Sequence, residues 1–219
     1  MNILVIAPHR DDELLGVGGT ILKRKATGDR VAVCIVTAKE GREWGSLTKT
    51  VHAEMEAAFQ MCGIDQYYGL RFEPVTLEYV NRSELNGAIH EVIVNFQPDE
   101  IYIPYWGDMQ KDHQIVAEAI MVAARSKYNL PVKRIYAYET LSETGIHFPT
   151  TDKTFIPNVY VDISDCLQRK LEALKCYRSQ MNEFPDLRSI EAVEALAKIR
   201  GAMVNINAAE AFMLIREIR

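Results

Sequence analysis

The stretch NILVIAPHRDDELLGVGGTILKRKATGDRVAVCIVT, residues 2–37, decides the fold of this chain. It begins with a short apolar run of β type, Asn2 to Ala7, which ends at a proline. From Asp11 to about Gly28 the apolar residues repeat with the spacing of a helix. Arg30 to Thr37 is almost continuously apolar, which is typical of a strand buried on both faces. The order strand, helix, strand predicts a parallel βαβ unit.

The rest of the chain continues this alternation. We predict helices at Lys49 to Cys62, Ser83 to Phe96, His113 to Ala124, Cys166 to Met181 and Ile190 to Ile199, and strands at Tyr67 to Phe72, Asp99 to Tyr105, Lys133 to Tyr138 and Asn158 to Ile163. The last segment, Ala208 to Ile218, also has helical character. The prediction is an α/β fold, a mainly parallel sheet with helices on both faces, in a single domain over residues 1–219.

Length, composition and charge limit the function. The 219 residues suit one domain, and 48% of them are apolar. The net charge of −5 argues against nucleic acid as the main partner, because nucleic acid favours a basic surface. We see no signal-peptide pattern and no run of the ~20 apolar residues that a membrane span needs, so we expect a cytoplasmic protein without an integral membrane segment. Cys34, Cys62, Cys166 and Cys176 lack CxxC spacing, which favours buried thiols.

Ligands of open α/β sheets bind beyond the carboxyl ends of the strands, so candidate site residues should follow the predicted strands. After the first strand comes PHRDDELLGVGG, residues 8–19. Its acids are explained in part by helix capping. Its glycines raise the alternative of a phosphate loop, but they follow the start of the helix and lack GxGxxG spacing. The third interpretation is a metal site, in which His9 supplies an imidazole, Asp12 and Asp11 supply carboxylates, and one acid is left free to act as a base.

A second candidate segment, WGDMQKDHQIV, follows the strand DEIYIPY. His113 lies there at the start of a helix, beside two acids. Together, His9, Asp12 and His113 make a set of two imidazoles and one carboxylate, which suits catalytic zinc with an open position for water. The long irregular stretch from Leu141 to Pro157 has the character of a lid or a binding loop.

With these residues in view, the chain resembles the PIG-L/LmbE-like family of zinc-dependent N-deacetylases. Members carry an (A/P)HPDDE motif after the first strand and an HxDH motif after a later one, which here are PHRDDE (Pro8 to Glu13) and QKDH (Gln110 to His113). VDISDCLQRKLEALKCYRSQ (residues 161–180) and RGAMVNINAAEAFMLIR (residues 200–216) resemble later family signatures. The Rossmann-like fold of the family agrees with the predicted order of elements.

The resemblance implies roles for five residues. His9, Asp12 and His113 would bind Zn²⁺, with Fe²⁺ or another divalent metal as the alternative. Asp11 would be the general base, and Asp112 would orient a neighbouring polar side chain. The expected reaction is hydrolysis of the N-acetyl group of an amino sugar or glycoconjugate by zinc-activated water. Family members commonly self-associate, so a homo-oligomer is also expected.

Three departures from the family pattern bear on the substrate and the activity. Gln110 stands where members usually have a histidine that stabilises the oxyanion or protonates the leaving amine. A glutamine can donate a hydrogen bond but cannot deliver a proton, so either Asp11 makes both proton transfers, or another residue such as His147 helps, or activity is reduced. Arg10 replaces a proline and either pairs with an acid or meets an anionic part of the substrate. Val51 replaces an arginine, so the substrate pocket is expected to differ.

Two other functions stay open. One is a repurposed or catalytically weakened metal-binding member, because of Gln110. The other is a non-haem Fe(II) oxygenase, which also uses two histidines and a carboxylate, although the alternation of strands and helices argues against it. The remaining candidates are weaker. Trp106 either stacks on a sugar or packs on the sheet, Trp44 flanks the first loop, and Arg42 and Glu43 are candidates by position alone. His52 and His90 are expected to be structural or surface residues, and Tyr177 to Gln180 are expected to support the fold.

Overall fold

The structure, a computed structural model, describes residues 1–39, 45–146, 148 and 150–219, with only the backbone of residues 45–48. The strands are β1 (Asn2–Ala7), β2 (Arg30–Ile35), β3 (Gln66–Gly69), β4 (Glu100–Pro104), β5 (Arg134–Tyr138), β6 (Val159–Asp162) and β7 (Ala209–Glu217). The helices are α1 (Asp12–Ala26), α2 (Gly45–Cys62), α3 (Arg82–Phe96), α4 (Lys111–Ala123), α5 (Leu167–Leu174) and α6 (Ile190–Ala202).

The strands form one mixed sheet in the order β3-β2-β1-β4-β5-β7-β6. The first five of these are mutually parallel, while β7 runs antiparallel to both β5 and β6. The predicted α/β fold with a mainly parallel sheet is therefore confirmed. Because β1 and β4 are parallel neighbours, the segments that follow them meet at the same edge of the sheet.

A hydrophobic core lies on each face of the sheet, because successive side chains of a strand point to opposite faces. In β1, Ile3 and Val5 pack into the core that α1, α2 and α5 cover. Leu4 and Ile6 pack into the other core, which α3 and α4 cover. All four are fully buried, as the near-continuous apolar strands predicted.

The prediction of helical character for the last segment was wrong, because Ala208 to Ile218 contains β7 instead. Its alanine, glutamate, leucine and methionine residues favour a helix locally. The strand is fixed by partners far away in the chain, since β7 pairs with β5 on one side and β6 on the other. Tertiary pairing has overridden the local propensity.

The predicted helix from Cys166 to Met181 is shorter in the structure, where α5 ends at Leu174. The chain then continues without regular structure until Ser189 caps α6.

The prediction of buried thiols is correct for two of the four cysteines. Cys34 and Cys62 are buried, while Cys166 and Cys176 are partly exposed. All four thiols are free.

The glycines that raised the phosphate-loop alternative lie inside α1 and serve packing. A Cβ atom on Gly16 would lie 2.3 Å from the Tyr138 ring, and one on Gly19 would lie 2.8 Å from Ile163. Glycine therefore lets α1 approach β5 and the end of β6 closely. This packing removes the reason for a phosphate loop here. Among the described helices, none is long and apolar enough to cross a membrane.

Candidate metal centre and catalytic site

The two segments predicted to form the site meet at the carboxyl edge of the sheet. His9, Asp11 and Asp12 follow β1, and the residues from Asp108 to His113 follow β4. The predicted metal ligands, about 100 residues apart in the chain, come together: ligand atoms of His9, Asp12 and His113 all lie within 4.8 Å of one another. Asp12 and His113 are buried, and His9 is mostly so, which leaves one side of the group open.

Asp12 lies between the two imidazoles. Its Oδ2 is 3.3 Å from His9 Nδ1 and 3.2 Å from His113 Nε2, and it also accepts a hydrogen bond from the His9 backbone N–H. Its other oxygen, Oδ1, is buried and has no hydrogen-bond partner among the described residues. A buried carboxylate oxygen without a partner is costly, and such an atom calls for an explanation.

The outer nitrogen of each histidine is held by a second carboxylate. His113 Nδ1 lies 2.9 Å from Asp108, whose other oxygen accepts a hydrogen bond from the Thr144 hydroxyl. His9 Nε2 lies 3.0 Å from Asp112. Carboxylates behind metal-binding histidines fix the tautomer and aim the remaining nitrogen at the ion. Here each remaining nitrogen faces Asp12.

Asp112 is itself held in place by backbone. It accepts hydrogen bonds from the N–H groups of Val75 and Leu77, over 2.6 and 3.3 Å. The polar side chain that it contacts is therefore His9, one of the predicted ligands. Asp108 is one of the two acids beside His113 in the sequence, and its contact with His113 could not be predicted from spacing, because the two residues lie five positions apart across the turn into α4.

The donor set fits a divalent transition metal. Two imidazoles and one carboxylate with an open side match the ligand count of catalytic zinc sites, and the partnerless Asp12 oxygen is an acceptor that a cation would satisfy. The same three donors also suit iron. The residues therefore fit the metal that the family resemblance implies, without distinguishing zinc from iron.

The charges within the site are strongly coupled. Burial lowers the pKa of His113, but the charge of Asp12 and hydrogen bonds to Asp108 and Asp12 outweigh it and raise that pKa to about 10. Burial raises the pKa of Asp12, but the charge of His113 and the imidazole hydrogen bonds bring it well below its usual range. The cluster thus stabilises a positive charge between its carboxylates, whether carried by protons or by a metal ion.

Asp11 occupies an unusual backbone position, with φ at 103°. Non-glycine residues adopt positive φ at a cost, and such residues cluster at functional sites. Although it precedes α1, its side chain makes no capping hydrogen bond. Instead Asp11 Oδ2 accepts a hydrogen bond from Arg188 over 2.8 Å, and Oδ1 is buried without a partner among the described residues. Burial raises the pKa of Asp11 to about 7, although the charge of Arg188 opposes the rise.

Arg188 is a second candidate site residue that the sequence did not predict. It lies in the irregular segment between α5 and α6, 177 residues from Asp11, where no motif or periodicity marks it. Its guanidinium also donates to Ser142 Oγ, so the start of the stretch from Leu141 to Pro157 contacts the ionic partner of Asp11. The signal that the sequence did offer was the neighbouring SQ signature, since Gln180 lies 3.5 Å from Arg188.

Glu13 links the turn at Asp11 to Tyr177 through hydrogen bonds. One of its oxygens accepts a hydrogen bond from the Asp11 backbone N–H, and the other accepts one from the Tyr177 hydroxyl. Burial raises the pKa of Glu13 to about 8. Through this hydrogen bond, Tyr177 connects the segment just after α5 to the turn that carries the candidate metal ligands. This agrees with the structural role expected for Tyr177.

A cleft of about 250 Å³ opens in front of these residues. It is lined by His9, Arg10, Asp11, Thr37, Lys39, Val51, Pro74, Val75, Gln110, Gln180 and Arg188. Gln110 is the residue before α4, and its Oε1 is buried without a partner among the described residues, so a polar amide lines the cleft near the metal ligands. Arg10 and Val51, the two other departures from the family pattern, line it as well.

The remaining candidates lie elsewhere. Trp106 is 40% exposed, contacts the Tyr105 ring and does not line the cleft as described. His90 bonds the carbonyl of Ala123, as a structural residue would. Arg42, Glu43, Trp44 and His147 lie outside the described residues.

Fold and site together define a class, an α/β protein with a candidate centre of two histidines and one aspartate at the carboxyl edge of its sheet. The model of the PIG-L family, described as GlcNAc-PI de-N-acetylase, matches residues 4–124. This stretch is more than half of the 219 residues and contains both site segments, and the chain belongs to the PIG-L family. Arg188 lies outside the matched stretch.

The chain is similar to known deacetylases along most of its length. The diacetylchitobiose deacetylase of Thermococcus kodakarensis is 28% identical, over 83% of this chain and 71% of that protein. The structure of N,N'-diacetylchitobiose deacetylase from Pyrococcus horikoshii superimposes with a TM-score of 0.76 at 22% identity, covering 98% of this chain and 84% of that one. The hydratase GalB of Pseudomonas putida, which acts on 4-carboxy-2-hydroxymuconate, has a TM-score of 0.75 at 18% identity, covering 100% and 97% of the two chains. The two structures share the fold, which by itself does not distinguish deacetylation from hydration.

Proposed function

We propose that this protein is a metal-dependent N-deacetylase, which hydrolyses the acetamide of an amino sugar or glycoconjugate to a free amine and acetate. The observation that carries the proposal is the position of Asp11. Asp11 directly precedes the aspartate of a group of two histidines and one aspartate, and Asp11 and His9 line one open cleft. Membership of the PIG-L family and the named activity of the Thermococcus relative support the same reaction and the same class of substrate.

His9, Asp12 and His113 would hold the ion, and zinc is the metal that we propose, with Fe²⁺ as the alternative. A divalent cation at this position supplies Lewis acidity, which polarises the amide carbonyl and lowers the pKa of a water molecule. Asp108 and Asp112 keep the two imidazoles in the tautomer and orientation in which one nitrogen of each faces Asp12.

Proton transfer is the task of Asp11. As water adds to the carbonyl carbon, the Asp11 carboxylate accepts the proton that the water loses. Arg188 holds that carboxylate in one orientation through a charge-assisted hydrogen bond. When the C–N bond breaks, the same carboxyl group returns the proton to the leaving nitrogen. Gln110, which lines the same cleft, is an amide that does not titrate, so it cannot perform this step.

Gln110 has a different task in this proposal. Gln110 lines the cleft, and its side-chain N–H would donate a hydrogen bond to the oxyanion that develops on the carbonyl oxygen. In enzymes, removal of one such donor lowers kcat by about 10²–10³-fold. The family histidine at this position would add a charge, so this chain is expected to work with a weaker oxyanion donor.

The test replaces Asp11 by asparagine, which has the same shape and cannot accept the proton. Zinc-loaded wild type and Asp11→Asn protein are incubated with N-acetylglucosamine and N,N'-diacetylchitobiose, and the free amine is measured by fluorescamine. We expect amine from the wild type, a loss of about 10²–10⁴-fold in the variant, and equal metal content in both. Full activity of Asp11→Asn would remove Asp11 from its role.

A second candidate function is a metal-binding family member that no longer deacetylates sugars. The observation that favours it is Gln110, in the place of a histidine that the reaction usually uses. The same assay separates the two functions. A zinc-loaded protein that binds N-acetyl sugars but releases no amine from any of them would support the second candidate.

A further inference from the structure

A second hollow adjoins the cleft. It has a volume of about 580 Å³ and is lined by Arg10, Ala38, Lys39, His52, Tyr67, Gly69 and Arg71. Arg10 and Lys39 line both the cleft and the hollow, so a ligand that fills the cleft can extend past them. We call this second space the basic hollow.

The charge of the basic hollow is opposite to that of the whole chain. Three cationic side chains, Arg10, Lys39 and Arg71, line it and no acidic side chain of the described residues does, although the chain carries a net charge of −5. Lys39 pairs with Glu73 over 2.8 Å, but both are about half exposed, so solvent screens the pair. Like charges collected in one concave space raise the local concentration of anions.

Arg10 has unused hydrogen-bonding capacity. Its guanidinium donates to the carbonyl of Ala38 over 3.1 Å, which is a neutral acceptor. Its Nε is buried and has no acceptor among the described residues. Neither Arg10 nor Arg71 forms an ion pair within the part of the chain that the structure describes. Arginine presents a planar set of donors that matches a phosphate or a carboxylate.

Backbone hydrogen bonds hold the segments that carry Lys39 and Arg71. Thr37 and Arg71 form an antiparallel bridge, and the N–H of Lys39 bonds the carbonyl of Phe72. The N–H of Ala38 bonds the carbonyl of Leu70 in the same way. These bonds fix the segments after β2 and β3 side by side, so that the backbone of Lys39 and Arg71 is held in place without a ligand. A preorganised site loses less entropy on binding.

We propose that the basic hollow binds an anionic oxygen group, a phosphate or a carboxylate, that is attached to the amino sugar in the cleft. The substrate class then becomes N-acetyl amino sugars with an anionic substituent. This inference rests on the proposed function for the position of the acetamide, beside Asp11, while the charges of the basic hollow are independent of it.

The test compares three substrates that differ in the substituent. Amine release is measured for N-acetylglucosamine, N-acetylglucosamine 1-phosphate and N-acetylmuramic acid, with wild type, Arg71→Gln and Arg125→Gln zinc-loaded protein. Arg71 lines the basic hollow only, and Arg125 is the matched control, an exposed arginine beyond the far end of α4. We expect the wild type to have a higher kcat/KM for at least one anionic sugar than for the neutral one.

The preference should fall by about 10-fold or more in Arg71→Gln, mainly through KM, because a hydrogen-bonded charge is lost. Arg125→Gln should keep the preference. The phosphate and carboxylate sugars show which group the basic hollow prefers. Equal kcat/KM for neutral and anionic sugars in the wild type, or an unchanged preference in Arg71→Gln, would overturn the inference.

Binding separates this inference from the proposed function. The same sugars are titrated by calorimetry into zinc-loaded Asp11→Asn protein, with and without Arg71→Gln. Tighter binding of an anionic sugar that depends on Arg71 would support the basic hollow even if no sugar were deacetylated. Amine release together with equally weak binding of all three sugars would leave the proposed function standing and overturn the inference.

Discussion

At the scale of single residues, the contact that governs the site is the one between Asp11 and Arg188. Asp11 is buried at a strained backbone position, and Arg188 is its ionic partner among the described residues. The carboxylate needs a fixed orientation to receive a proton, and a guanidinium supplies it through a short hydrogen bond. In the proposed reaction, Arg188 would hold the general base Asp11 in one orientation.

This role predicts the effect of removing Arg188. Arg188→Met should lower kcat by about 10–100-fold with metal content unchanged, because Asp11 loses its fixed orientation. Arg188→Lys, which keeps the charge, should recover part of the loss. Steady-state kinetics and metal analysis on the same preparations measure both. An unchanged kcat in Arg188→Met would show that Asp11 does not depend on this contact.

Gln110 gives a second prediction at this scale. Gln110→His restores the residue that the family usually carries, so the variant should keep or raise turnover if the side chain at this position faces the oxyanion. The measurement is kcat, with zinc content as the control. A collapse of turnover while the zinc content stays the same would count against the oxyanion role.

The residues of the site were unequally predictable from the sequence. His9, Asp11, Asp12 and His113 stand in short motifs directly after predicted strands, and parallel neighbouring strands bring such segments together. Arg188 was out of reach of this argument, since it lies in an irregular segment far along the chain.

At the scale of elements, β7 shows where sequence patterns fail. Glu210 in this strand is 4% exposed, accepts hydrogen bonds from the N–H groups of Gly19 and Thr20, and pairs with Lys170 over 2.6 Å. A glutamate between alanines indicated a helix, whereas its partners lie on α1 and α5. Long-range partners of this kind are invisible to local periodicity.

The buried pair between Lys170 and Glu210 predicts a stability effect. Glu210→Leu should lower the free energy of unfolding by about 3–5 kcal/mol, because it leaves the Lys170 ammonium buried without its partner. Lys170→Met combined with Glu210→Leu should recover part of that loss, since no uncompensated charge remains. Urea unfolding followed by circular dichroism measures both. A double variant that is less stable than Glu210→Leu would refute this explanation.

At the scale of the whole molecule, the sheet order explains why one chain can build this centre. β1 and β4 are parallel neighbours near the middle of the sheet, and the segments after them bring in all three candidate ligands. The two segments after β2 and β3 supply Lys39 and Arg71 to the basic hollow beside the cleft. The parallel part of the sheet, which the sequence predicted well, thus places the chemistry.

The central claim is that His9, Asp12 and His113 together hold one catalytic ion. The most direct measurement is the zinc content of dialysed wild type, His113→Ala and the control His90→Ala, determined by mass spectrometry of the metal. We expect about one zinc ion per chain in the wild type and in His90→Ala. His113→Ala should bind zinc at least ~10-fold more weakly and therefore lose most of it on dialysis. Retention of one tightly bound zinc ion by His113→Ala would contradict it.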